Sequence, residues 1–421
     1  MKPIVSLAAA VVASCVVASA DAQTPGLQAG DRVAICGDSI TQQHMYSADI
    51  EAYLACCRPV AGVTAEQFGW GGETAGGFHQ RMPRFMLPFG NNVATTCYGM
   101  NDGRYNAMTP DTAKVYRDSQ TAIVKSLKAA GYRFIVLGSS GPVDTQTFSM
   151  GAKAAAAYNQ TLAGLRDIDR EVAQQQGVAF ADVYDAVYDV MAKAKAKYGE
   201  RYPVCGASDG IHPQANGHLV MAYAFLKALG VSGDVGTITL DLAGQKATAT
   251  DGHKVLSCEG GTIQMESTRY PFCFSGDPAS PDATTGVIQF FPFNDDLNRF
   301  RLVVTNPGAG RVRVTFGPAS KEFAAADAAR GINLAAEFLD NPFAQPFAAE
   351  LKKIQAKQNV ESLLDMGFYN SIPALEAQLP AAKGAYEATE GPIRDLLAAQ
   401  AKAIPESVPP VRYAIKVEPV R

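Results

Sequence analysis

Arg32-Val33-Ala34-Ile35-Cys36-Gly37-Asp38-Ser39-Ile40-Thr41 reads as a short apolar strand that runs into a glycine-led turn and then opens a helix. The same texture repeats outward from it. Further strands are predicted at Asn92 to Cys97, Arg133 to Leu137 and Val178 to Val183, and helices at Thr112 to Ala130, Ala152 to Gln176 and Gln214 to Leu229. Gly131, Gly177 and Gly230 stand where those helices should stop. Strand and helix alternating in this way argue for a three-layer α/β/α domain whose parallel sheet is covered on both faces. In such sheets ligands bind beyond the carboxyl ends of the strands, so the residues just after each strand are where chemistry is sought.

The chain has 421 residues, too many for one core of ordinary size, so an appended unit is expected. With 47% hydrophobic and 19% charged residues it reads as globular. A net charge of -4 and the lack of a basic cluster argue against nucleic acid as a partner. Ile4 to Ala18, after Lys2 and before the small residues Ala18 to Ala22, has the pattern of a secretory signal. Residues 1–22 are therefore expected to be removed and the protein to be secreted or periplasmic, with no membrane span. Val12-Ala13-Ser14-Cys15 resembles a lipoprotein box, so a lipid anchor at Cys15 is the alternative. Eight cysteines become seven without Cys15, which leaves at least one unpaired. Cys258 and Cys273 are the expected disulfide pair.

The catalytic unit is predicted to span 23–231 and an accessory unit 232–421. In the latter, Ile238, Leu240 and Leu242 alternate with polar residues, and strands Leu302 to Thr305 and Arg311 to Phe316 flank Asn306-Pro307-Gly308-Ala309-Gly310. From 324 to 407 the chain turns helical, with Phe347, Leu351 and Ile354 on one face and Pro373, Pro380 and Pro392 dividing it. Val411, Tyr413, Ile415 and Val417 then alternate as a last strand would. Residues 232–323 and 408–421 should thus form a β unit interrupted by a helical insertion.

Gly37-Asp38-Ser39 after a strand is an ordinary capped turn or a nucleophile's turn, and alone it favours the ordinary capped turn. Three later segments tip the balance: Gln67-Phe68-Gly69-Trp70-Gly71-Gly72-Glu73-Thr74, Gly99-Met100-Asn101-Asp102 and Asp209-Gly210-Ile211-His212-Pro213. With these four blocks in order, Asp31 to Gly230 resembles the SGNH hydrolases, the GDSL-type esterase and lipase superfamily. More loosely, the whole chain resembles secreted bacterial members found among polysaccharide-acting genes. The resemblance implies Ser39 as nucleophile, His212 as general base and Asp209 as the carboxylate that orients it. It implies the N–H groups of Ser39 and Gly72 and the Asn101 amide as oxyanion donors. Two departures are Gln67, where the family has Asn, and Ile40, where the name has Leu; only the bracing of the Gly72 loop is put in question.

Trp70, the single tryptophan, either stacks on substrate or packs in the interior. Asp102, His44, His79, His218 and His253 are read as structural, and Asn294-Asp295-Asp296 as a turn rather than a cation site. No metal or cofactor is implied. The expected function is hydrolysis of short-chain acyl esters, acetyl above all, on a carbohydrate or other acylated small molecule, through an acyl-Ser39 intermediate. Acyl transfer to a polysaccharide by the same triad, and polysaccharide binding with secondary esterase activity, are the alternatives.

Overall fold

The computed structural model describes residues 26–420, so the predicted signal and Cys15 lie outside the described residues. Strands β1 (Arg32–Gly37), β2 (Thr64–Gly69), β3 (Val93–Tyr98), β4 (Phe134–Ser139) and β5 (Ala179–Ala181) make one parallel sheet in the order β2-β1-β3-β4-β5. Alternate residues feed two cores. Val33, Ile35, Phe134 and Val136 face one, Ala34, Cys36, Ile135 and Leu137 the other. Helices Tyr46–Ala52, Val183–Tyr198 and Ala215–Ala228 cover the first face; Ala75–Phe85 and Pro110–Ala129 cover the second. The predicted three-layer domain is therefore present.

Local chemistry sets the boundaries. The strand predicted to run to Val183 is only three residues long because Asp182 caps the next helix, its Oδ1 accepting from Asp185 N at 3.0 Å. The helix predicted from Thr112 begins at Pro110, with Thr109 as its cap.

Strand β2 was not anticipated. Its Glu66 and Gln67 look solvent-facing in the sequence, yet both are buried. The helix Ala344–Ser362 covers this edge strand: Lys357 Nζ donates to Ala65 O at 2.6 Å, and Glu361 accepts from Gln67 N at 3.1 Å. A sheet edge is thereby hidden from other chains.

The rest of the chain adds two sheets. Strands β6 (Asp234–Asp241), β7 (Lys246–Ala249), β10 (Arg299–Thr305) and β13 (Ile332–Asn333) form one, in the order β13-β10-β6-β7. Strands β8 (His253–Glu259), β9 (Thr262–Ser267), β11 (Arg311–Phe316), β12 (Ala319–Ala324) and β14 (Val411–Val420) form the other, in the order β12-β11-β14-β9-β8. The Asn306 to Gly310 turn thus passes the chain between sheets. One apolar core runs without a break from Val33 and Ile35 through Phe272 and Phe300 to Tyr413 and Ile415.

Two expectations fail. Cys258 and Cys273 are both free thiols. Cys273 is buried, its Sγ donating to Pro271 O, whereas Cys258 is half-exposed on β8. Nor do the prolines all divide helices: Pro373 lies within the helix Asn370–Gln378, and Pro392 within Lys383–Ser407. Pro392 removes one hydrogen bond, but Ile393 and Leu397 beyond it are anchored in the second core and the helix continues. Pro380 does open a separate short turn. Asn294 to Asp296, expected as a turn, lie inside the short helix Phe293–Leu297, with Asp296 Oδ2 held by Tyr223 and Lys227 at 2.6 and 2.8 Å. Among the described residues no helix is long and apolar enough to cross a membrane.

Candidate active site

The carboxyl ends of β1, β2 and β3 deliver the first three motif segments to one place. Asp38 caps the helix Ser39–Gln42, its Oδ1 accepting from Ile40 N at 3.0 Å. Ser39 N–H then belongs to the first helical turn and has no intrahelical acceptor. Gly69 ends β2 against this helix; a Cβ there would sit 2.5 Å from Gln42 N, so only glycine allows the approach.

The fourth segment arrives from the loop before helix Ala215–Ala228. Ser39 Oγ lies 2.7 Å from His212 Nε2, and His212 Nδ1 lies 2.6 Å from Asp209 Oδ2. Asp209 Oδ1 accepts from the backbone N–H groups of Ile211 at 2.8 Å and His212 at 3.0 Å. Burial pushes the Asp209 carboxyl up, but the bonds from the His212 ring, His212 N–H and Ile211 N–H outweigh it and hold it below the ordinary carboxylate range. An ionised Asp209 can only accept, which puts the imidazole proton on Nδ1 and leaves Nε2 to accept from the serine hydroxyl. Such a relay can raise the nucleophilicity of Ser39.

Gly72 has φ 72°, and its Cα faces open space, with no atom within 4 Å of where a Cβ would be. Asn101 Nδ2 donates to Glu73 O at 3.0 Å and to Asp38 Oδ2 at 3.3 Å, which ties the second and third segments to the first. Asp102 joins them from below, its carboxylate accepting from Ala75 N at 2.9 Å and Gly99 N at 3.0 Å. Asp38 is fully enclosed; burial, opposed by the Ile40 N–H and assisted by the charges of Asp102 and Glu73, raises its carboxyl to about 7. Burial likewise raises Asp102 to about 6.

Several neighbours brace the site. Arg81 grips Glu73 and lies 5.0 Å from the Trp70 ring centroid, while Phe85 meets the same indole edge-on at 6.3 Å. One face of Trp70 is thus engaged by the protein. Gln67, in the place of the family's Asn, accepts from Gly69 N at 2.9 Å and donates to Ser362 Oγ at 2.6 Å, so the accessory helix braces the Gly72 loop. His44 Nε2 also meets Ser362 Oγ at 2.7 Å. His218 is enclosed behind the site between Tyr46 N and Gln43 Oε1; burial, then the charge of His212, lowers its imidazole to about 3. A local pattern could have flagged Arg81, which stands eight residues after Glu73 on the adjoining helix, but nothing local marks Ser362.

A cavity of about 760 Å³ lies elsewhere, between Arg58, Val63, Arg269 and Val408, at the amino end of β2. Its Arg58 and Arg269 guanidiniums are engaged by the carbonyls of Ala55, Pro405, Cys57 and Asp234. The His212–Asp209 pair instead stands open to solvent, with side chains 33% and 35% exposed.

The sequence profile of the GDSL-like lipase/acylhydrolase family matches residues 35–220. No curated protein matches the chain. Among solved structures, a gut microbial diltiazem-metabolizing enzyme is similar over 94% of this chain and 99% of its own, with 22% identity and a TM-score of 0.70. That similarity extends the shared fold through the accessory sheets. A catalytic mutant of Axe2, an acetylxylan esterase from Geobacillus stearothermophilus, aligns over 49% of this chain and 96% of its own, with 18% identity and a TM-score of 0.41. Residues 35–220 are a domain of the GDSL-like lipase/acylhydrolase family, a carboxylic ester hydrolase domain of the SGNH type.

Proposed function

We propose that the protein removes short acyl groups, acetyl above all, from hydroxyls of carbohydrates or other polar small molecules through an acyl-Ser39 intermediate. The observation that carries the reading is the unbroken relay Ser39 Oγ–His212–Asp209 at 2.7 and 2.6 Å. In this mechanism His212 Nε2 takes the Ser39 proton as Oγ attacks the ester carbonyl, and the imidazolium is stabilised by Asp209. Negative charge on the former carbonyl oxygen meets Ser39 N–H, Gly72 N–H and Asn101 Nδ2, which exchanges its longer bond to Asp38 for the oxyanion. His212 then protonates the departing alkoxide, and a water deprotonated by His212 releases the acid.

The solvent-open acid–base pair supports a polar leaving group over a long acyl chain sheltered from water. The test compares initial rates on nitrophenyl acetate, butyrate and octanoate, and acetate release from an acetylated hemicellulose, for wild type and Ser39→Ala. Acetyl substrates turned over fastest, with the alanine variant inactive, is the expected result. Wild-type rates no higher than those of Ser39→Ala on every ester would sink the reading, and a search for acylated sugar would then test transfer.

A further inference from the structure

Arg104 and Tyr105 both adopt left-handed backbone, at φ 51° and 57°, a conformation that side-chain-bearing residues rarely take. Two successive residues of this kind persist only where their surroundings hold them. Here the helix Ala152–Gln176 does so on both sides: Tyr158 Oη donates to Met100 O before the pair, and Thr161 Oγ1 donates to Asn106 O at 2.8 Å after it. Gly103 lets the loop lie flat on that helix, since a Cβ there would be 2.6 Å from Tyr158 Oη.

The conformation turns Tyr105 toward Asn101, Phe148 and Tyr158. Its ring lies 5.1 Å from Tyr158 and 6.3 Å from Phe148, and its hydroxyl donates to Asn101 Oδ1 at 3.4 Å. Phe148 belongs to a segment tied to the acid–base loop, where Asp144 N donates to Gly210 O at 2.8 Å and Ser149 N to Asp209 O at 3.3 Å. Tyr105 therefore stands between the Asn101 side of the site and the Asp209 side, half-exposed. The electrostatics agree: burial, then the charges of Asp38 and Asp209, push its phenol up.

We propose that the Tyr105 ring is the wall that limits acyl size at Ser39, and that its hydroxyl turns the Asn101 amide so that Nδ2 faces the reacting carbonyl. This assignment rests on Ser39 being the acylated residue and adds the specificity determinant. Tyr105→Phe, which keeps the wall and loses the hydroxyl, should lower kcat on nitrophenyl acetate about three- to tenfold with KM unchanged. The same change in an Asn101→Ala background should have no further effect. Tyr105→Gly suits the positive φ and removes the wall, so the octanoate-to-acetate ratio of kcat/KM should rise at least about tenfold. If Tyr105→Gly does not fold, Tyr105→Asn, which also tolerates this backbone, gives the same ratio test.

An unchanged ratio in a folded variant overturns the wall, and additive effects of Tyr105→Phe and Asn101→Ala overturn the positioning role. Either can happen while wild type still exceeds Ser39→Ala, so the esterase reading survives. Wild type no better than Ser39→Ala overturns both.

Discussion

The Arg81 guanidinium holds the Glu73 carboxylate by two hydrogen bonds, Nε to Oε1 at 2.7 Å and Nη2 to Oε2 at 2.9 Å. Tyr98 Oη adds a third bond to Glu73 at 3.0 Å, and Arg81 Nη2 also donates to Phe68 O. Both charged side chains are nearly buried, and Glu73 directly follows Gly72. Removing one member would leave a buried charge unpaired, which costs about 3–5 kcal/mol. Arg81→Ala should show that loss in urea unfolding. Arg81→Lys keeps the charge without the fork, so kcat on nitrophenyl acetate should fall more than the unfolding free energy accounts for.

Asp209→Asn should leave the fold intact and lower kcat by about three to four orders of magnitude, because the amide no longer fixes the imidazole proton on Nδ1. Steady-state kinetics beside a thermal melt separates the two effects. The depressed carboxyl of wild-type Asp209 gives stability that is present above the ordinary carboxylate pKa and lost only as pH falls through its lower folded value.

Asp49 titrates in the opposite sense. Burial raises its carboxyl to about 7, so the folded state binds a proton that the unfolded chain has released. Stability from this group is complete below the unfolded pKa of 3.8 and falls as pH climbs through about 7. Asp49→Asn should match wild type near pH 4 and exceed it at pH 8 by on the order of 4 kcal/mol. Urea midpoints across that range are the check; equal midpoints at both ends would refute it.

Lys357 anchors the accessory helix, with Glu51 at 2.7 Å and Glu361 at 2.8 Å, all three side chains buried. Burial raises both carboxyls despite the lysine's pull. Lys357→Met strands them, and the loss should be about 3–5 kcal/mol at pH 8. It should shrink near pH 5, where the stranded groups can take up protons. A loss independent of pH would mean that packing, not charge, holds the helix.

Where the physics is local, the sequence was readable. Strands β1 and β4 carry the apolar runs Val33–Cys36 and Phe134–Leu137 because both faces are covered, and Asp209 reaches His212 within one loop. Strand β2 was missed because the partners of Glu66 and Gln67 include a residue as near as Asn91 and others as remote as Glu361 and Ser362. A buried polar strand looks like an exposed one until its partner is known. Tyr105 escaped for another reason: positive φ outside glycine leaves no trace in composition. The free Cys258 and Cys273 show that sharing a β-rich stretch does not bring two thiols together.

Strand β14 lies inside its sheet, bonded to β11 on one side and β9 on the other. This inner stave is made after both of its neighbours, so β11 and β9 have no shared neighbour until Val411–Val420 has been synthesised. The helix that covers β2 also emerges late, more than 270 residues behind it. During translation the Ser39 domain must wait with that edge bare, and a chain cut before Val411 would expose β11, β9 and the apolar residues between them. Such a product should be an early target for proteolysis or aggregation rather than a smaller working esterase.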